Sequence, residues 1–171
     1  MPRQLIEVRA KEAKQVLQVR EQAAVAKARE RDDARGDFLQ AFAWPAQGRE
    51  SGWYGSQRIL NGVPKDPHYG LDIAAPAGAP VRAPAAGIVT FAAKDLYLTG
   101  GTVVLDHGHG VSSTFIHMSR VDVQVGDRLQ QGGAIGLVGM TGRATGPHLC
   151  WRMNWFQERL DPQLAAPEMP G

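Results

Sequence analysis

The rhythm of apolar positions changes near Phe42. From Leu5 to about Arg35 the chain has no Gly or Pro and is rich in Ala, Glu, Gln, Lys and Arg. These residues favour helix, so the segment is predicted as one long α-helix. Its apolar residues, Leu5, Val8, Val16, Leu17, Val19 and Val25, form a thin, irregular stripe without strict heptads. That pattern predicts a solvated, charged helix rather than a stable coiled coil. Beyond Phe42, short apolar runs alternate with Gly, Pro and Asp turns, as in GAPVRAPAAGIVTFAA, GGTVVLDHG, STFIHMS and VDVQVGDRLQQGGAIGLVG. Regular short strands with such punctuation predict an all-β, mainly antiparallel domain of barrel or sandwich type. The expected division is a helical arm or linker over 1–40, continuing from a longer protein, and a β domain over 41–171.

Two stretches combine this patterning with side chains that carry chemistry. HLCWRMNW alternates as a strand should: Leu149, Trp151, Met153 and Trp155 form an apolar face, and His148, Cys150, Arg152 and Asn154 the other. Residues i and i+2 point the same way, so the imidazole of His148 and the thiol of Cys150 address one region of space. In PHYGLD, His68 precedes Asp72 by four positions. In an ideal strand these residues would lie about 13 Å apart, at roughly 3.3 Å per residue, and Pro67 and Gly70 argue against a helix. If the two side chains share one site, a bend at Gly70 is the remaining way to bring them together; taken alone, the His-x-x-x-Asp spacing reads more readily as structural. His117 follows the apolar run STFI, while His107 and His109 fall in the turn-like DHGHG, where His107 reads as a turn-stabilising residue and His109 as exposed.

Composition narrows the function. A chain of 171 residues with 43% apolar residues can bury one sizeable core and carry an extra arm. No apolar run is long enough to span a membrane, and MPRQLIEVRAKEAKQ lacks a hydrophobic signal region, so a signal for export would have to be absent from this sequence. One cysteine excludes an internal disulfide. Residues 1–35 hold nine Lys/Arg and six Asp/Glu, and the remainder ten and eleven, so the positive excess lies in the arm and a nucleic-acid-binding patch is not expected. GGAIGLVGMTGRATG contains neither Gly-x-Gly-x-x-Gly nor a Gly-Lys-Ser/Thr ending, which argues against a nucleotide loop. Lys65 and Lys94, the only lysines after the arm, lack the hairpin context of a biotinyl or lipoyl carrier. Ser112 and Ser113 have no nucleophile elbow.

HYGLD, followed by FIHMS and GPHLCW, resembles the His-x-Gly-x-Asp, His and Gly-x-His-x-His signatures of the lysostaphin-like zinc metallopeptidases, the M23 or LytM group. The similarity runs in order over about residues 42–163. It implies a two-sheet β fold, the duplicated hybrid motif, with a narrow groove and one zinc ion on its floor. On that pattern His68 and Asp72 are zinc ligands, and Cys150 stands where the family has the third, a histidine. His148 and His117 match the two histidines that flank the reacting water as general base or transition-state stabiliser. The implied substrate is peptidoglycan, at its cross-links or stem peptides. The implied location is the periplasm or cell envelope, with a protein partner reached through the helix.

Zinc accepts thiolate readily, so ligation by Cys150 is chemically reasonable. Replacing a neutral imidazole by a thiolate lowers the formal charge of the ion and its ligands by one, which weakens activation of a bound water. The resemblance therefore carries two expectations: a zinc endopeptidase, or a weak or inactive relative that binds cell wall or activates another hydrolase.

Overall fold

A computed structural model describes residues 2–52, 58–60, 63–65, 69–142, 144 and 146–167. A helix, α1 (Arg3–Ala28), precedes a 3-10 turn at Asp37–Leu39 and the strands. The strands are β1 (Arg49–Gly52), β2 (Arg58–Leu60), β3 (Val63–Lys65), β4 (Leu71–Ala74), β5 (Pro80–Arg82), β6 (Gly87–Leu96) and β7 (Gly100–Asp106). They continue with β8 (Val111–Met118), β9 (Arg120–Val121), β10 (Arg128–Leu129), β11 (Ala134–Leu137), β12 (Leu149–Trp155) and β13 (Glu158–Leu160). The large sheet runs β1-β4-β12-β8-β7-β6-β10, with β13 beside β12; a smaller sheet runs β5-β11-β9, and β2 pairs with β3. Every pairing among the described residues is antiparallel. The all-β, antiparallel domain after a long helix is the one the patterning predicts, and its division into a large and a smaller sheet is what the family resemblance implies.

The core lies between the two sheets. Leu71 and Ile73 of β4, Val89, Val103, Leu105, Phe115, Leu149 and Trp151 of the large sheet meet Val81 and Ile135 of the small one. Alternation thus turns the even-numbered residues of β12 and Asp72 of β4 to the outer face. Trp155, assigned to the apolar face by its spacing, is half exposed at the strand end, where the core stops.

His107 is part of this core rather than of its turn. Its ring is fully buried, with Nδ1 donating to the Ala86 carbonyl at 2.8 Å and Nε2 2.8 Å from Ser113 Oγ. Trp151 Nε1 donates to the same hydroxyl at 3.1 Å. A carbonyl only accepts, so Nδ1 carries the hydrogen and Nε2 accepts from the serine. Burial pulls the imidazole down to about 4. His109 is exposed, as expected.

Helix α1 ends at Ala28, not near Arg35. Asp32 and Asp33 are poor helix formers, and carboxylates oppose the negative end of a helix. Tertiary contacts then take over. The Asp33 carbonyl accepts from His109 N at 2.8 Å, the Arg35 guanidinium pairs with the buried Asp106 carboxylate, and Phe38 N donates to the His107 carbonyl at 2.9 Å. No residue of α1 is buried. The helix touches the domain through its second half, where Glu21 accepts from Tyr97 N at 2.9 Å and the Ala26 carbonyl accepts from Gln157 Nε2 at 2.8 Å.

Candidate active site

Three adjacent strands of the large sheet bring the candidate residues together. Cys150 lies opposite Asp72 on β4 and opposite Ile116 on β8. Because their neighbours Leu71, Ile73, Leu149 and Trp151 face the core, Asp72 and Cys150 share the outer face as a cross-strand pair. A bend occurs at Gly70, as a shared site requires. Its glycine is required for room: a Cβ there would meet Cys150 Sγ at 2.8 Å and Arg152 Cγ at 2.9 Å. His68 lies outside the described residues.

His148 enters from the loop before β12, held by a bridge to Gly139. Its Nδ1 donates to the Gly146 carbonyl at 2.9 Å, so the neutral ring carries its lone pair on Nε2, which stands 3.8 Å from Asp72 Oδ1. Two acceptor atoms facing one another at this separation leave room for a cation or a bridging water that both can contact.

A break in alternation places His117. Ser113 and Phe115 of β8 point to the core side, so a regular strand would send residue 117 the same way. Gly101 pairs with Met118 but Val103 with Phe115, which leaves one extra residue on β8. This bulge sets His117 at φ 63° and hands the next core position to Met118. The imidazole emerges with its centroid 5.2 Å from that of His148. His117 Nδ1 donates to the Thr141 carbonyl at 2.6 Å, leaving Nε2 as the acceptor. Burial is the largest influence on this ring and lowers its pKa below the ordinary imidazole value. Thr141 in turn is clamped by its hydroxyl, which donates to the Met118 carbonyl at 2.7 Å and accepts from Gly101 N at 3.0 Å.

The Cys150 thiol is buried, and desolvation pushes it up to about 12, with the Asp72 carboxylate adding to the rise and the Arg152 guanidinium opposing it. The thiol is therefore protonated at neutral pH, and a bound cation would have to displace that proton. Neither Arg152 nor Thr141 was singled out by sequence reasoning. Arg152 shares the polar face of the alternation with Cys150, a signal that was available; the carbonyl of Thr141 carries no side-chain signature.

A carboxylate, a thiol and an imidazole with its lone pair turned inward form a donor set suited to zinc. Asp72 and Cys150 are two of the three ligands the resemblance implies, and the third, His68, lies outside the described residues. Among the described residues no three His, Cys, Asp or Glu side chains converge closely enough to hold a metal ion by themselves.

Residues 66–162 match the model of Peptidase family M23. The chain belongs to this family. Over 127 residues it is 37% identical to the peptidoglycan DD-endopeptidase ShyA of Vibrio cholerae, a match that covers 71% of the chain and 29% of ShyA. A Pseudomonas aeruginosa protein assigned to peptidase M23 superposes with a TM-score of 0.71 at 39% identity, covering 84% of this chain and 57% of that one. A zinc-containing peptidase from Vibrio cholerae superposes with a TM-score of 0.67 at 26% identity, covering 77% and 41%. This M23 domain thus spans less than a third of the curated relative it matches.

Proposed function

We propose that this M23 domain is a zinc-dependent endopeptidase that hydrolyses peptide bonds of peptidoglycan, in cross-links or stem peptides. The observation that carries the reading is the cross-strand pair Asp72 and Cys150, with the Nε2 acceptors of His148 and His117 beside it. Membership of the family supports it, as do the named activity of ShyA and the zinc of the Vibrio cholerae structure.

His68, Asp72 and Cys150 would hold one zinc per chain. Bound there, the ion would supply a Lewis acid that polarises a scissile carbonyl and acidifies a water. The hydrogen bonds to Gly146 and Thr141 fix both imidazoles with Nε2 as the reactive nitrogen. One of these atoms takes up the proton from water; the other, carrying a proton, donates to the oxygen on which negative charge develops. Burial of His117 strengthens these interactions by excluding solvent. Peptidoglycan lies outside the cytoplasmic membrane, so the reading places the enzyme in the periplasm or cell envelope. No helix among the described residues is long and apolar enough to cross a membrane.

A second reading, a weak or inactive domain that binds cell wall or activates another hydrolase, is favoured by one feature: the guanidinium of Arg152 beside the Cys150 thiol competes electrostatically with a cation. Digestion of purified peptidoglycan separates the two. The zinc-loaded chain is expected to release soluble peptide-bearing fragments, and His148→Ala and a chelator to abolish release. Binding to peptidoglycan without release by the zinc-loaded chain would instead establish the second reading.

A further inference from the structure

The outer face of the large sheet continues past the candidate metal site into a patch of arginines. Thr114 lies opposite Arg152 in the β8–β12 register, and Arg159 lies opposite Asn154 in the β12–β13 register. Arg29, which caps the end of α1, reaches over this face and donates from Nη2 to Thr114 Oγ1 at 3.1 Å. Three guanidinium groups therefore approach one another, and crowding with Arg152 and Arg159 adds to burial in pulling Arg29 down to about 10. Arg29 and Arg152 are half buried, whereas Arg159 is exposed and stands 4.0 Å over the Tyr69 ring, so the patch opens to solvent on that side.

Converging cations with unsatisfied donors require an explanation. Nε of Arg29 and Nε of Arg152 are both buried, and among the described residues neither has a hydrogen-bond partner. The sheet supplies further polar groups beside them, Thr114 on β8 and Asn154 on β12, both buried. A planar oxyanion answers all of these demands together: it neutralises the cations, accepts from Nε and Nη of a guanidinium fork in parallel, and takes a further hydrogen bond at the rim.

We propose that Arg29 and Arg152, on the Thr114 side of the sheet, form a carboxylate-binding subsite next to the Asp72–Cys150 pair, and that it takes a free carboxylate of the peptide substrate. The ligand assignment rests on the peptidase reading; the oxyanion site does not. The arm thereby contributes a binding residue, Arg29, to a site otherwise built by the β domain. In a peptide chain such a subsite selects a substrate by the carboxylate it leaves free, at a fixed distance from the bond to be cut.

The test is a titration of the full chain, in excess chelator and at matched ionic strength, with D-alanyl-D-alanine, its C-terminal amide, acetate and inorganic phosphate, read by NMR of the arginine Nε–H signals. D-Alanyl-D-alanine and acetate are expected to shift the Arg29 and Arg152 signals and the amide to leave them in place. Arg29→Gln is expected to weaken dipeptide binding at least tenfold, and Arg29→Lys, which keeps the charge but loses the fork, to give an intermediate loss. Equal binding of dipeptide and amide, no shift with any anion, or full binding by a folded Arg29→Gln overturns the proposal. Binding of phosphate alone overturns the substrate carboxylate as the occupant. Because binding is read without zinc, dipeptide binding by a chain that releases nothing from peptidoglycan when zinc-loaded would overturn the peptidase reading and leave the subsite standing, whereas release by a zinc-loaded chain that binds no dipeptide would overturn the subsite and leave the peptidase reading standing.

Discussion

At Gly70 a methyl group would sit 2.8 Å from Cys150 Sγ and 2.9 Å from Arg152 Cγ, and Cys150 cannot withdraw because β12 is paired on both edges there. Gly70→Ala is expected to cost about 1–3 kcal/mol of stability and to reduce the zinc retained, measured by denaturant unfolding and elemental analysis. His107 makes a different prediction. Its folded pKa, about 4, lies below the ordinary 6.5, so the unfolded chain takes up the proton first. Its contribution is fully present above pH 6.5 and is lost as pH falls from 6.5 to about 4, by about 3 kcal/mol in total. Unfolding midpoints measured across that window should fall more steeply in the wild type than in His107→Gln. The two residues also mark what was legible. DHGHG reads as a turn, and only the Phe42 ring against it and the Ser113 hydroxyl at its Nε2 reveal that His107 is interior.

Among the elements, β12 was the most legible, because strict alternation in HLCWRMNW already separates a core face from a chemical face. β8 was not. In STFIHMS a regular strand would point His117 into the core between the sheets, and the bulge that turns it toward His148 depends on pairing with β7, which no local pattern encodes. Thr141 holds this irregularity in place through Met118, Gly101 and the His117 ring. Thr141→Val deletes the hydroxyl and leaves a carbonyl and an amide without their partner, at a cost of about 1–3 kcal/mol, while Thr141→Ser should restore most of it. The Nε2 resonance of His117 should move in the valine variant and return in the serine variant.

For the whole molecule, the arm divides into two parts with different roles. The first half of α1 has no buried residue and its apolar side chains Leu5, Ile6 and Val8 are exposed, so deleting residues 1–15 should change unfolding free energy by no more than about 0.5 kcal/mol. The segment after α1 is bound to the domain. Arg35 neutralises an Asp106 carboxylate that is 1% exposed and that burial already pushes toward protonation. Arg35→Ala should therefore cost about 3 kcal/mol, and Asp106→Asn in the same chain should recover part of it. The helix was legible as a charged, solvated rod. Its stop at Ala28 and its return onto the sheet were not, because they are set by backbone groups of Asp33 and Phe38 meeting a turn seventy residues away.

The central claim is that a cysteine completes a zinc site in this M23 domain. It is tested most directly by counting zinc per chain in the wild type and in Cys150→Ala after identical dialysis against trace zinc. About one zinc per wild-type chain, clearly reduced in the variant, is the predicted result; a wild type without zinc, or one indistinguishable from Cys150→Ala, would contradict it.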